Sequence, residues 1–372
     1  MSHQPLKVGL VATCLNCEHI RGMGKYLYEL TAQSRADAHL QWVAMGNDRR
    51  FGMTLPPDLA AEADVFEQRG DRFHLWEQWG LPRRAKHHGL DLLHCTENTL
   101  PLWQPVPTVV TVHDTLPWEA PTEPFYWNNL LPLAMRRCAH VVTISDCSRD
   151  DILARWPWLA DKLTVIPHGI DARFFDARTP AGHAGLNAAL GASPYAVYMG
   201  GPMQRKRFDW ALEVMQAQAD PALKLVACGF GAVARAQSQA EVPAALADRV
   251  VFAEFLSDEE LIALYKGARA VLYPTLYEGF GFPAVEAQAA GVPVIFSPLG
   301  SLKELIGPLA SVVPAPDLQA WAQALNVAQA LSPEARQNLA VQARAWAQRF
   351  QWSASYERHL EVYQRIARRT PA

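Results

Sequence analysis

Glu278 and Glu286 flank the run Gly279-Phe280-Gly281-Phe282-Pro283. Carboxylates in such a setting could be an acid/base pair, metal ligands, ligand-orienting groups or plain surface charge. Pro283 suits the first turn of a helix, Gly291 suits the position just past its end, and Pro293 follows. Glu286 is then expected in the first helical turn, near its positive pole, and Glu278 in the loop before it. The N–H groups of Gly281 and Phe282 are expected to stand exposed between the two. A phosphate on those amides, with hydroxyls on either glutamate, fits this arrangement. A metal fits less well, because no further Asp or His is close in sequence. Capping by Glu286 and a solvated Glu278 is the bland alternative.

Three other segments carry candidate chemistry. In "GGPMQRKRFDWALEVM", Gly200-Gly201 loosens a turn and Arg205-Lys206-Arg207 precede an amphipathic pattern. A planar guanidinium fork beside a point charge at a helix entrance suits an anion, a diphosphate above all; a solvated basic turn is the alternative. In "HDTLPW", His113 could bond a hydroxyl and Asp114 could orient it or meet an acceptor; a structural histidine is the alternative. In "RGMGKYLYEL", Arg21 to Leu30, Gly22 and Gly24 precede a helical pattern, so that backbone N–H groups could face a phosphate or sugar. As a dinucleotide fingerprint this is incomplete, with Leu27 at the third glycine position, although Asp48 could imitate the ribose-binding acid. Cys14 and Cys17 form a lone CxxC near His19, without the second pair that a structural zinc needs.

These segments follow short apolar runs. In the first half the runs are LKVGLVAT, LQWVAM, LDLLHC, PTVVTV, HVVTIS and LTVIP; in the second, YAVYMG, LKLVAC, RVVFA, RAVLYP, VPVIFS and SVVP. Near-continuous apolar strands alternating with helical patterns predict α/β parallel sheets covered on both faces. Two sets of about six predict two Rossmann-like domains, 1–175 and 192–350, joined by the Gly-, Pro- and Ala-rich stretch from Gly169 to Pro194. Ligands of such sheets bind beyond the carboxyl ends of the strands, where all four segments lie. Two such domains facing one another would enclose a cleft.

With 372 residues, half of them apolar, the chain is long enough for two cores. A net charge of -3 argues against a nucleic-acid partner. Solvated surface is the first reading of the local basic clusters, RRAKHH from Arg83 to His88 and Arg136-Arg137, with an anionic acceptor or membrane surface as the other. No apolar run approaches the ~18 residues of a membrane span and no leader pattern opens the sequence, so a cytoplasmic protein, at most resting on a membrane, is expected. Its six cysteines are expected to be reduced thiols.

Taken together, the segments resemble the retaining glycosyltransferases of the GT-B fold, family 4. EGFGFPAVE matches that family's E-x7-E pattern and QRKRFDWAL resembles its Arg-Lys phosphate motif. RGMGKYLYEL, TVHDTLPWEAP, VVTISDCSRDDIL, LTVIPHGID and VFAEFLSDEELIALYKGARAVLYPT are similar to further landmarks in the same order. The resemblance covers nearly the whole chain and is strongest to bacterial mannosyltransferases of lipopolysaccharide or exopolysaccharide synthesis. It implies that Arg205 and Lys206 hold the donor diphosphate and stabilise its departure. Glu286 would bind the ribose, and Glu278 the transferred sugar with the Gly281 and Phe282 amides assisting. His113 would lie beside that sugar, Gly24 near the phosphates, and Phe255 and Leu256 at the base; Asp114 is assigned to the acceptor. The first domain would bind the acceptor, and a C-terminal helix over about 353–372 would cross back onto it. No cofactor and no metal are implied.

The resemblance also sets the competing readings. GDP-mannose is the leading donor and a saccharide or lipid-linked saccharide the acceptor; GDP-fucose, dTDP-rhamnose and UDP-sugars are the rival donors. A catalytically silent sugar-nucleotide-binding protein is the reading from another class, and a nicotinamide dehydrogenase is disfavoured by the incomplete glycine fingerprint. Arg207 stands where many relatives carry Asn, and Phe282 where Leu is common; neither removes a needed functional group, so both bear on donor preference.

Overall fold

All twelve apolar runs become strands in a computed structural model. It describes every residue except 1–4, 16–19, 21, 35–36, 38, 47–63, 66–74, 120, 122, 177, 219 and 369–372. Cys17, His19, Arg21 and Asp48 therefore lie outside the described residues. The chain forms two compact units, Met1–Gly169 with Gln351–Ala372, and Ile170–Phe350.

The first unit contains β1 (Leu6–Val11), β2 (Leu40–Gly46), β3 (Asp64–Val65), β4 (Leu92–Cys95), β5 (Thr108–Val112), β6 (His140–Thr143) and β7 (Leu163–Val165), in the order 3-2-1-4-5-6-7. The second contains β8 (Tyr195–Met199), β9 (Lys224–Cys228), β10 (Val250–Phe252), β11 (Ala270–Tyr273), β12 (Val294–Phe296) and β13 (Ala310–Val312), in the order 10-9-8-11-12-13. Every pairing is parallel. Both orders are doubly wound: each sheet starts in its middle, runs to one edge, then resumes on the other side of its first strand. Such a reversal leaves a crevice beyond the strand ends, flanked by the loops after β1 and β4 in one sheet and after β8 and β11 in the other.

Helices cover the sheets and bury the inner strands on both faces. β5 and β11 are buried along their whole length, which is why they read as unbroken apolar runs rather than alternating ones. In the first unit Trp76, Leu81, Trp118, Leu131 and Trp156 pack on one face of the sheet. In the second, Trp321, Met215 and Phe208 do the same.

The last helix, Trp352–Ala367, belongs to the first unit, and a chain of buried polar groups fastens it there. The His359 Nδ1–H donates to the Ser355 carbonyl at 2.7 Å, so its Nε2 accepts from the Tyr26 hydroxyl at 2.8 Å. Tyr26 oxygen then accepts from Thr111 Oγ1 at 3.2 Å, and Thr111 from the Nε2–H of His94 at 2.8 Å. His94 Nδ1 accepts in turn from the Tyr363 hydroxyl at 2.7 Å. The chain of bonds starts and ends on the same helix and runs through β4, β5 and the helix Gly22–Gln33. One proton position per group satisfies all of it.

Candidate active site

The second unit brings together residues far apart in sequence because β8 and β11 are neighbours, with Tyr198 opposite Leu272. The turn after β8 carries Arg205 and Lys206, and the loop after β11 carries Glu278. Glu278 Oε1 accepts from Arg205 Nη1 at 3.0 Å, from the Thr275 hydroxyl at 2.6 Å and from the Lys206 ammonium. The Arg205 guanidinium also donates to the Tyr277 carbonyl at 2.6 Å, and Lys206 Nζ lies 3.3 Å from the Tyr273 hydroxyl. Ser301 holds the Glu278 backbone, its N–H donating to the Glu278 carbonyl at 3.2 Å. Glu278 is 9% exposed and Glu286 4%, so neither is solvated surface charge. Burial lowers the Lys206 pKa by more than Glu278 restores it. Burial also raises the Tyr273 pKa well above the ordinary range, and the charges of Glu278 and Glu286 push it further.

Arg207 differs from its two neighbours. It adopts a left-handed backbone ahead of the helix Phe208–Gln216. Its guanidinium bonds Asp209 and lies 4.0 Å from the Trp210 ring. Two cations of the basic triplet therefore converge on Glu278, and the third braces its own helix.

The helix Phe282–Ala290 starts at Gly281 and ends at Gly291, both left-handed. Gly281 has φ 105°, and a Cβ there would stand 2.6 Å from Leu302 Cδ2, so both backbone and space require glycine. This start corrects one expectation. Glu286 is the fifth residue of the helix and so belongs to its second turn, with no acidic residue in the first. Its placement comes from the Tyr265 hydroxyl, which donates to Glu286 Oε2 at 3.0 Å. Gly281 is buried and Phe282 half-buried. Pro283 occupies the first turn as expected.

Phe255 and Leu256 follow β10; Phe255 is largely exposed and Leu256 half-buried. The next helix, Asp258–Gly267, is fixed by a reciprocal Ser257–Glu260 cap and carries Tyr265 into the core. Tyr265, Tyr273, Thr275 and Ser301 were absent from the sequence-derived set. Tyr273 ends its strand, a position that could have flagged it; the others show their role only through their partners.

In the first unit, His113 follows β5 and is buried. Its Nε2–H donates to the Thr96 carbonyl at 2.8 Å and its backbone N–H to Asn98 Oδ1 at 2.6 Å. Burial pushes its pKa down to about 4, so the ring is neutral near pH 7, with Nδ1 as the acceptor nitrogen. Asp114 accepts the Leu116 N–H at 3.1 Å, at the entrance of the short helix Leu116–Glu119. Gly22 and Gly24 lie inside the helix Gly22–Gln33 rather than ahead of it. A Cβ on Gly24 would be 3.2 Å from the Cys14 carbonyl, so glycine permits the helix to start hard against the loop after β1. Among the described residues the five cysteines are free thiols, and no cluster of three or more His, Cys, Asp or Glu side chains could hold a metal ion.

Two doubly wound units, one of them holding a half-buried cation pair on a buried carboxylate at its switch point, have the architecture of the GT-B glycosyltransferases. Residues 20–174 match the family described as "Glycosyltransferase Family 4", and residues 188–346 match "Glycosyl transferases group 1". The chain belongs to the family 4 glycosyltransferases and is an enzyme of glycosyl transfer. Among similar proteins, the O-antigen chain mannosyltransferase RfbU of Salmonella typhimurium is 27% identical over 74% of this chain and 75% of its own. The O-antigen chain mannosyltransferase B of Escherichia coli is 26% identical over 60% of each chain. The crystal structure of Anabaena Alr3699/HepE in complex with UDP superposes with a TM-score of 0.77 at 17% identity, over 97% of this chain and 100% of that one, and shares its fold.

Proposed function

We propose that this enzyme transfers a hexose, mannose from GDP-mannose before others, to a saccharide or lipid-linked saccharide in cell-surface polysaccharide synthesis. The observation that carries the reading is the convergence of Arg205 and Lys206 on one oxygen of Glu278. A buried carboxylate holding two cations in place keeps them aimed before any ligand arrives. When the bond between the sugar's anomeric carbon and the diphosphate oxygen breaks, the electron pair goes to that oxygen. Fixed cations stabilise the growing charge without reorganising, and they can do so in place of a divalent metal.

We read Glu278 and Glu286 as donor-orienting groups rather than a hydrolase-type carboxylate pair, because Glu278 is already held by Arg205 and Lys206. We assign Glu278 to a hydroxyl of the transferred sugar, Glu286 to the ribose hydroxyls, and the Gly281 and Phe282 amides to the donor. Phe255 and Leu256 border the base. In the first unit, His113 Nδ1 accepts from a sugar hydroxyl, the Gly24 N–H faces phosphate, and Asp114 serves the acceptor. The acceptor hydroxyl attacks from the face the diphosphate leaves, giving its proton to a departing phosphate oxygen, and configuration is retained.

The mannose reading draws on the two O-antigen mannosyltransferase relatives. A UDP-sugar donor is the second reading, because the Anabaena neighbour was solved with UDP. The test is release of nucleoside diphosphate from GDP-mannose, GDP-fucose, dTDP-rhamnose and UDP-glucose, with lipid-linked saccharide acceptors and with EDTA present throughout. GDP release with acceptor-dependent product from GDP-mannose is the expected result. Donor binding without turnover across the panel would point to a silent scaffold instead.

A further inference from the structure

Four consecutive polar residues, Thr96 to Thr99, follow β4, and all are buried. Connecting segments ordinarily run over the surface, because buried polar groups must find partners. Here the partners lie on both sides, since β4 sits between β1 and β5. Towards β1, the Thr96 hydroxyl donates to the Val11 carbonyl at 2.6 Å. Glu97 Oε1 accepts from the Thr13 hydroxyl and from the Cys14 N–H at 2.7 Å. Towards β5, the Asn98 N–H donates to the Thr111 carbonyl at 3.0 Å. The Asn98 side chain then accepts the His113 N–H, and the Thr96 carbonyl accepts the His113 Nε2–H.

Asn98 has φ 66°, and among the described residues other than glycine only Arg207 shares a positive φ. Glycine would take this conformation without steric cost. What glycine lacks is the amide oxygen that meets His113. Such a conformation persists where surrounding contacts over-determine it, and the bonds of Thr96 and Glu97 to the β1 side do so. The result is that the alternation of β5 continues past its last residue, Val112. Successive strand side chains face opposite sides of a sheet, so residues 111 and 113 share one. Both meet Tyr26: Thr111 through its hydroxyl at 3.2 Å, and His113 edge-on, with ring centroids 5.5 Å apart. The Ser148 hydroxyl holds the His113 carbonyl at 3.0 Å.

We propose that Thr96 and Asn98 position His113 for glycosyl transfer, the Asn98 amide setting the direction of the ring and the Thr96 carbonyl its tautomer. The inference rests on the reading that His113 meets the transferred sugar. A carbonyl accepts and cannot donate, so Nε2 keeps the proton and Nδ1 stays an acceptor for a hydroxyl. Thr96 and Asn98 act through the histidine as positioning residues.

Asn98→Gly is the test, since it keeps the backbone conformation and removes the acceptor. With donor and acceptor saturating, kcat is expected to fall about 10-fold to 100-fold, the scale of a small displacement of a positioned group. Affinity for the free nucleoside diphosphate, GDP or UDP as the donor panel selects, should stay within about twofold, as expected for an independent site. Asn98→Asp keeps an oxygen in the same place and should recover most of the loss. In a His113→Ala background, Asn98→Gly should add less than about twofold, because one residue acts through the other. Nitrogen NMR of histidine-labelled protein, with the His113 signals assigned by their loss in His113→Ala, should show the Nε2–H tautomer in wild type and a mixture in Asn98→Gly. An Nδ1–H tautomer in wild type would overturn the proposal whether or not any variant folds. So would a lower melting temperature with unchanged kcat in Asn98→Gly while His113→Ala is impaired, or independent losses that multiply in the double variant. If His113→Ala turns over like wild type, the sugar contact itself fails and the proposal falls with it.

Discussion

Lys206→Ala separates an ammonium that works on the leaving group from one that merely neutralises Glu278. In the folded protein the substitution removes one of three donors from Glu278 Oε1. Arg205 at 3.0 Å and Thr275 at 2.6 Å remain. The carboxylate is therefore not orphaned, and the stability cost should stay below the ~3–5 kcal/mol of a stranded buried charge. The melting temperature is expected to fall by only a few degrees, at about 2–4 °C per kcal/mol for a domain this size. Turnover is another matter. Losing one preorganised contact to developing charge costs about 10²–10³ in kcat, or ~3–4 kcal/mol of barrier. The assay is nucleoside diphosphate release at saturating donor and acceptor, run beside a thermal melt. Arg207→Ala is the matched control: same charge, next residue, but bonded to Asp209 and packed on Trp210. It should keep turnover within about threefold of wild type, as expected for a cation remote from the reacting atoms. The reasoning fails if Lys206→Ala is folded and turns over within that same margin, or if Arg207→Ala loses as much.

Glu286→Gln removes the charged acceptor assigned to the ribose, and isothermal titration should show nucleoside diphosphate binding weakened by about 10-fold to 100-fold, the weight of a charged hydrogen bond. Unchanged affinity would remove Glu286 from the donor site. Gly281→Ala meets both the φ of 105° and the Leu302 side chain. It should destabilise by ~2 kcal/mol or more, visible as a lower melting temperature. His113 and His359 have folded pKa values pushed down to about 4 by burial, against 6.5 for the free side chain. The unfolded chain binds those protons first, so the stability they confer is fully present above pH 6.5. It is lost as pH falls toward 4, by roughly 3 kcal/mol per imidazole. Melting temperature measured across that window should drop steeply, and His359→Phe should flatten the slope if the variant folds. A wild-type profile flat from pH 7 to 4 would contradict the buried neutral assignment.

The strands were legible because both faces of an inner parallel strand are buried, which forces an unbroken apolar run. β3 was missed for the converse reason: two residues, one of them Asp64, make no run. The helix after Glu278 was legible through Pro283 and Gly291, whose backbone preferences are local. Its register was harder to read, and Glu286 moved into the second turn because the left-handed Gly281 sets where the first turn begins. The Arg205–Lys206–Glu278 cluster was visible only as separate charges. Nothing in the spacing of 72 residues says that Lys206 and Glu278 touch.

Residue type and local order were thus enough for every strand but β3, the doubly wound class and the loops that carry the chemistry. All of these follow from burial patterns and from backbone preferences within a few residues. Strand order was decided only by the tertiary structure. By pairing β8 with β11 it gave Lys206 and Arg205 a shared carboxylate while leaving Arg207 on its own helix. The same level of organisation turned His94, Tyr26, His359 and Tyr363, scattered and polar in the sequence, into one buried chain of bonds. A hydrogen bond depends on where two atoms meet, and distant atoms meet only once the sheets have formed.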